Sequence, residues 1–203
     1  RSRVFSPWTA FYFLQSLLIN LGLGYPFSLL YTAAFTAILL LLWRTLPRVQ
    51  KVLVGISSLV AACYFPFAQA YGAPNFNTLL ALHSTNMEES TEILTIFPWY
   101  SYMVGIFIFV LGVIAIRRKK ESEKARWNTF DSLCLVFSVA TFFVAPVQNL
   151  AWGGVFKLKD TGYPVFRFAK DVIVNNNEVI EEQERMAKLS GMKDTWTDRK
   201  SVV

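Results

Sequence analysis

The sequence predicts an all-α, polytopic membrane protein, with five transmembrane helices, short helices on the outer membrane surface and a C-terminal helical linker outside. Three observations predict it. Five apolar stretches lie at about residues 8–24, 26–43, 51–71, 97–116 and 130–151. The connections between them alternate in charge, and aromatic residues gather at their ends. A helix crossing a bilayer needs roughly 17–25 apolar residues, because the hydrocarbon core is about 30 Å thick and each residue rises about 1.5 Å. The stretches lack the two-residue alternation of barrel strands, so helices must satisfy the backbone hydrogen bonds that lipid cannot.

Each connection fixes a side. Arg1 and Arg3 precede the first stretch, and the turn at Gly24-Tyr25-Pro26 carries no charge. Arg44, Arg48 and Lys51 fill the second connection. The third, residues 72–96, holds Glu88, Glu89 and Glu92 without Lys or Arg, and the fourth carries Arg117-Arg118-Lys119-Lys120, Lys124 and Arg126. Basic connections therefore fall on alternate sides, as the positive-inside rule requires, with the N-terminus in the cytoplasm. Everything after residue 152 then lies outside, dividing the chain into a membrane domain, 1–154, and an outer linker, 155–203. Trp8, Tyr25, Trp43, Tyr71, Trp99, Tyr100, Trp127 and Trp152 mark the stretch ends, where amphipathic rings favour the headgroup layer.

Composition agrees. Hydrophobic residues make up 54% of the 203, and the mean hydropathy of +0.37 puts most of the chain in lipid. The net charge of +6 is no nucleic-acid signal, because the basic residues concentrate in the two inner connections. There they set topology and attract an anionic leaflet. Cys63 and Cys134 fall within the stretches and read as small hydrophobes, not as a disulfide. The single histidine, His83, excludes a His-rich metal site and reads as solvated. The first stretch is too long for a cleavable signal peptide, and without an initiator Met the start reads as processed, trimmed or incompletely described.

The long outer connection is too long for a simple turn. Phe76, Leu79, Leu80 and His83 share one helical face, and Thr85 or Asn86 suits the cap of a second short helix with Glu88 and Glu89 in its first turn. Two readings stay open: Thr85, Asn86 and Glu89 face a lipid headgroup, or they form a capping and solubilising loop without a ligand. The amides Asn20, Gln69, Gln148 and Asn149 lie near the outer ends of the first, third and fifth stretches. They either line an outer-leaflet pocket or sit where amides cost least. Gln15 is deeper and suits an interhelical hydrogen bond. Asp131 reads as the cap of the fifth helix, and no GxxxG pairing is evident. After residue 155, Gly162-Tyr163-Pro164 marks a turn and residues 175–188 read as a helix in a soluble tail.

A catalytic constellation is missing: there is no Gly-rich phosphate loop, metal cluster or Ser-His-Asp set. Embedded carboxylates are nearly absent, which weakens a proton-coupled transporter.

The five spans, the outer Thr85-Asn86-Met87-Glu88-Glu89-Ser90 and the tail with Gly162-Tyr163-Pro164 resemble the membrane domain of bacterial phosphoethanolamine transferases. These belong to the alkaline-phosphatase/sulfatase-like superfamily. The resemblance covers about residues 1–197 and is nearest to the branch that modifies osmoregulated periplasmic glucans. It implies five transmembrane helices in the inner membrane, then a periplasmic α/β domain with zinc and a threonine nucleophile. That domain takes phosphoethanolamine from phosphatidylethanolamine and passes it to a glucan or lipid A-type acceptor. In the family's loop pattern, a Thr is followed four residues later by a Glu and a small residue, as Thr85, Glu89 and Ser90 are here. Asn86 agrees with some members; Ser84 and Ala81 depart, standing where many have Glu and several have Asn.

The resemblance thus makes phosphatidylethanolamine and membrane lipids the partners, with Thr85, Asn86, Glu89, Asn20, Gln69, Gln148 and Asn149 as candidate donor-lipid contacts. No cofactor is expected on this chain, since zinc belongs to the catalytic domain, whose motifs would lie beyond residue 203. Residues 198–203 do not read as the first buried strand of that domain. The chain alone is expected to be inactive as a transferase. A stand-alone membrane scaffold or small transporter subunit is the alternative.

Overall fold

The computed structural model describes residues 7–84, 95–118, 128–152, 154 and 161–200, with backbone alone at 82, 84 and 190–200. Among these residues all regular structure is helical. The helices are α1 (Pro7–Gly22), α2 (Leu29–Thr45), α3 (Pro47–Tyr71), α4 (Phe76–Ser84), α5 (Trp99–Arg117), α6 (Thr129–Ala151) and α7 (Pro164–Lys200).

Sequence punctuation explains the ends. Gly24 takes φ of +80°, and a Cβ there would lie 2.4 Å from the Gly72 backbone, so only glycine fits this turn. Pro47 opens α3 one residue after α2 ends, where a missing N–H costs nothing. Asn128 and Asp131 form a reciprocal capping box at the start of α6, which confirms the cap expected of Asp131. Asp131 also pairs with Arg44 across the bundle.

Contacts between side chains give the helix directions. Tyr12 meets Gln50, Gln15 meets Ser58 and Gly22 abuts Ala61, so α1 and α3 run in the same direction. Ser16 with Thr36 and Asn20 with Thr32 make α2 antiparallel to α1. Gly105 lies against Ala62 and Gly112 against Ser58, which makes α5 antiparallel to α3. Arg44 with Asp131 and Ala34 with Ser138 set α6 antiparallel to α2. The five helices therefore alternate in direction, as the charge pattern requires.

The bundle interior mixes polar and apolar side chains, while the outer face is apolar. Gln15, Ser16, Asn20, Thr32, Gln50 and Ser58 are buried beside Ile19, Phe35, Leu39, Val54 and Ile108, whereas Ile56, Ile106, Val110, Leu133 and Val136 face out. An apolar exterior with the polar groups turned inward suits a lipid surround. Three helices, α3, α5 and α6, are long and apolar enough to cross a membrane, and α2 is a shorter apolar helix of 17 residues. α1 has 16 residues and spends its inward face on Tyr12, Gln15, Ser16 and Asn20. Its hydropathy is therefore diluted by the polar interior it supplies.

Several expectations are refined. The first outer helix is present as α4, while the second, capped from Thr85 or Asn86, lies outside the described residues. The tail helix runs from Pro164 to Lys200, 37 residues, far beyond the expected 175–188. Both cysteines are free. Small-residue packing is present after all. A Cβ on Gly105 would lie 2.7 Å from the Ala62 carbonyl oxygen, and one on Gly112 would lie 2.6 Å from Ser58 Cβ. The two glycines stand seven residues apart, two helical turns, a spacing that a search for GxxxG misses.

Gly112→Leu is expected to force α3 and α5 apart and cost about 1–3 kcal/mol, the usual range for overpacking. Thermal unfolding in detergent checks this, with Leu133→Ala on the exposed face of α6 expected to leave the midpoint nearly unchanged.

Candidate functional site at the outer end of the bundle

The described part of the outer end is organised by α7. Tyr163 is buried before its first turn, and its hydroxyl donates to the Ser138 carbonyl of α6 at 2.8 Å. Gly162 lies where a Cβ would strike the Tyr31 ring, which explains the Gly-Tyr-Pro turn. One turn on, Phe168 packs edge-on against Tyr64 of α3, with ring centroids 5.0 Å apart. Tyr25, in the α1–α2 turn, donates a 2.7 Å hydrogen bond to Asp171 Oδ2. Arg167 lies 3.7 Å from that carboxylate and stacks over the Tyr25 ring at 4.9 Å. Asn175 donates to the Pro74 carbonyl at 3.4 Å, and His83 Nε2 of α4 meets Asn176 Oδ1 at 2.8 Å. His83 is thus a docking contact rather than a merely solvated side chain.

Burial pushes the Tyr25 phenol well above its usual value, and the adjacent Asp171 carboxylate raises it further. Burial also pushes Tyr163 up to about 12. Both phenols therefore hold their protons as donors throughout the neutral range.

Beside this end, α3 and α5 enclose an apolar groove of about 430 Å³. Leu59, Cys63, Pro66 and Phe67 form one wall; Tyr102 and Ile106 form the other. About one turn nearer the outer end, Ser101 Oγ of α5 donates to Gln69 Oε1 of α3 at 2.5 Å.

The expected amides are spread over three seams. Asn20 is buried within the bundle, its Nδ2 donating to Thr32 Oγ1 at 2.9 Å. Gln69 stands above the α3–α5 groove, and Gln148 and Asn149 are exposed on the last turns of α6. Among the described residues no hydrogen bond joins any two of the four. Thr85, Asn86 and Glu89 lie outside the described residues.

The chain is 98% identical over 197 residues to Phosphoethanolamine transferase OpgE of Escherichia coli (strain K12), covering 97% of this chain. It is similar to the N-terminal part of that transferase. The chain spans 37% of the transferase's length. No family model and no solved structure matches.

Tyr25, Arg167, Asp171 and Asn175 hold the outer end together, and no local sequence pattern singles them out for that role. Tyr25 reads as an interfacial aromatic, and Arg167 with Asp171 as an ordinary i, i+4 pair. The available signal was a charge pair directly after a Gly-Tyr-Pro turn, beside apolar Phe166 and Phe168.

Tyr25→Phe is expected to lower stability by about 1–3 kcal/mol, the range for losing a hydrogen bond to a charged group. The pH dependence has a definite sign. A phenol whose folded pKa exceeds its unfolded value of 10.0 contributes fully below that value and progressively less as pH rises above it. Wild-type melting points between pH 8 and 11 should fall on the alkaline side, and the fall should shrink in Tyr25→Phe.

Proposed function

We propose that this chain is the membrane-embedded part of a phosphoethanolamine transferase. In this reading α1, α2, α3, α5 and α6 cross the bacterial inner membrane, with the N-terminus cytoplasmic and α7 periplasmic. The chain anchors the enzyme and presents phosphatidylethanolamine from the outer leaflet for transfer to a periplasmic glucan or lipid A-type acceptor. The observation that carries this reading is the 98% identity to the E. coli transferase. The alternating helix directions and the apolar outer face of the bundle support it.

The chain's own residues bind and position. An acyl chain lies in the groove against Leu59, Phe67 and Ile106, a wall without charge. The glycerophosphate then rises past Gln69 and Ser101 toward the outer connection, where Thr85, Asn86 and Glu89 meet the ammonium. A carboxylate suits an ammonium and discriminates against a quaternary amine that cannot donate hydrogen bonds. Gln148 and Asn149 offer further polar contacts at the same end. The docked first turns of α7 set where the periplasmic catalytic domain stands relative to the lipid. Among the described residues no three His, Cys, Asp or Glu side chains come together as metal ligands. Zinc, with the Lewis-acid chemistry it would supply to phosphoryl transfer, is assigned in this reading to the catalytic domain.

Native mass spectrometry of the chain in mild detergent, titrated with phosphatidylethanolamine or phosphatidylcholine, tests this. Phosphatidylethanolamine should be retained several-fold more, Glu89→Gln should erase the preference, and Cys63→Trp should lower retention of both lipids by filling the groove. Equal retention in wild type, unaffected by either substitution, would overturn donor presentation and leave an anchor.

A further inference from the structure

At the basic end of the bundle, α5 ends on an arginine held in an unusual way. The Arg118 guanidinium lies 4.1 Å from the Trp8 ring centroid and 3.7 Å from that of Trp43, so indoles from α1 and α2 cover it. It also stands 5.8 Å from the ring of Tyr12. A guanidinium binds aromatic faces through its plane and keeps its N–H groups for acceptors at the edge. The Tyr12 hydroxyl meets part of that edge, but Nη1 is buried and has no hydrogen-bond partner among the described residues. A buried charged donor without an acceptor is costly, so the site calls for an anion.

Asp131, at the start of α6, is already engaged: it pairs with Arg44 and accepts from the Asn128 backbone N–H. Next to the arginine, Gln50 Nε2 donates to the Tyr12 hydroxyl at 3.3 Å, while Gln50 Oε1 is buried and also without a partner. An unfilled donor and an unfilled acceptor therefore flank one tyrosine. Arg48 and Lys51 flank Gln50 in the first turns of α3, and Arg117 precedes Arg118, so the surrounding charge is positive.

We propose that this end of the bundle is a binding site for an anionic phospholipid with a hydroxylated headgroup, of the phosphatidylglycerol kind. The phosphodiester accepts from Arg118 Nη1, and a headgroup hydroxyl donates to Gln50 Oε1. The stacked Trp8 and Trp43 hold the guanidinium at the headgroup layer, so the lipid staples the ends of α1, α2 and α5 together. The site lies at the opposite end from the proposed donor lipid and has the opposite headgroup preference. It does not depend on the transferase reading.

The test is lipid retention by the full chain in native mass spectrometry, with phosphatidylglycerol, phosphatidylcholine and inorganic phosphate as separate arms. Wild type should retain phosphatidylglycerol at least several-fold over phosphatidylcholine, and millimolar phosphate should not displace it. Arg118→Gln should abolish that preference, Arg118→Lys should keep part of it, and exposed Arg48→Gln should leave most of it. No preference in wild type overturns the proposal without any variant and would fit a carboxylate from Glu121 or Glu123 at Arg118 instead. Displacement by phosphate would mean a free-anion site, and an unchanged preference in Arg118→Gln would mean diffuse surface charge; either result also overturns it.

Discussion

Lipid supplies no hydrogen bonds, so polar side chains inside this bundle turn to neighbouring helices or to carbonyls of their own helix, and that constraint arranges the rest of the structure. α1 and α3 carry many of these contacts. Gln50 and Ser58 of α3 bind Tyr12 and Gln15 of α1, and the small Ala62 and Ser58 let Gly105 and Gly112 of α5 approach closely. On the other side of α1, Ser16 and Asn20 bind Thr36 and Thr32 of α2. Short polar contacts and close backbone approach thus act beside a buried apolar cluster that includes Tyr12, Ile19, Phe35, Leu39, Val54 and Ile108. Hydrophobic burial cannot separate one helix pairing from another in a medium as apolar as leucine.

The two ends of this bundle are built differently. At the basic end, charge is stacked and paired: Arg118 lies between two indoles, and Arg44 meets Asp131. At the other, a long helix is seated through tyrosines: Tyr25 gives Asp171 a hydroxyl and Tyr64 gives Phe168 a ring, while Tyr163, just before the helix, donates to the Ser138 carbonyl of α6. A helix of 37 residues is about 55 Å long at 1.5 Å per residue. Its first turns fix its direction, so a small change at Tyr25 or Asp171 moves the far end by a much larger distance.

What the sequence made legible was one-dimensional: apolar length, charge alternation and the Asp131 cap are all written in neighbouring residues. The alternating helix directions agree with the alternation of charge. What stayed hidden depends on rotation about the helix axis and on distant partners. The position of Asn20 along its stretch does not say that its amide turns inward to Thr32. Tyr25 and Asp171 are 146 residues apart, and neither pattern points to the other. The start of α7 is hidden for a local reason: Asn175-Asn176-Asn177 are weak helix formers that read as a boundary, yet the helix runs through them from Pro164. Val179, fully buried, shows that packing overrode that preference.

The central claim is that the five helices cross the membrane in alternation and leave α7 on the side opposite the α2–α3 junction. Single cysteines in a background without Cys63 and Cys134 test it directly, using Arg48→Cys at the junction and Ile180→Cys on the exposed face of α7. A membrane-impermeant thiol reagent applied to intact spheroplasts should label Ile180→Cys at once and Arg48→Cys only after the membrane is opened. Equal labelling of both positions in intact spheroplasts would contradict the account.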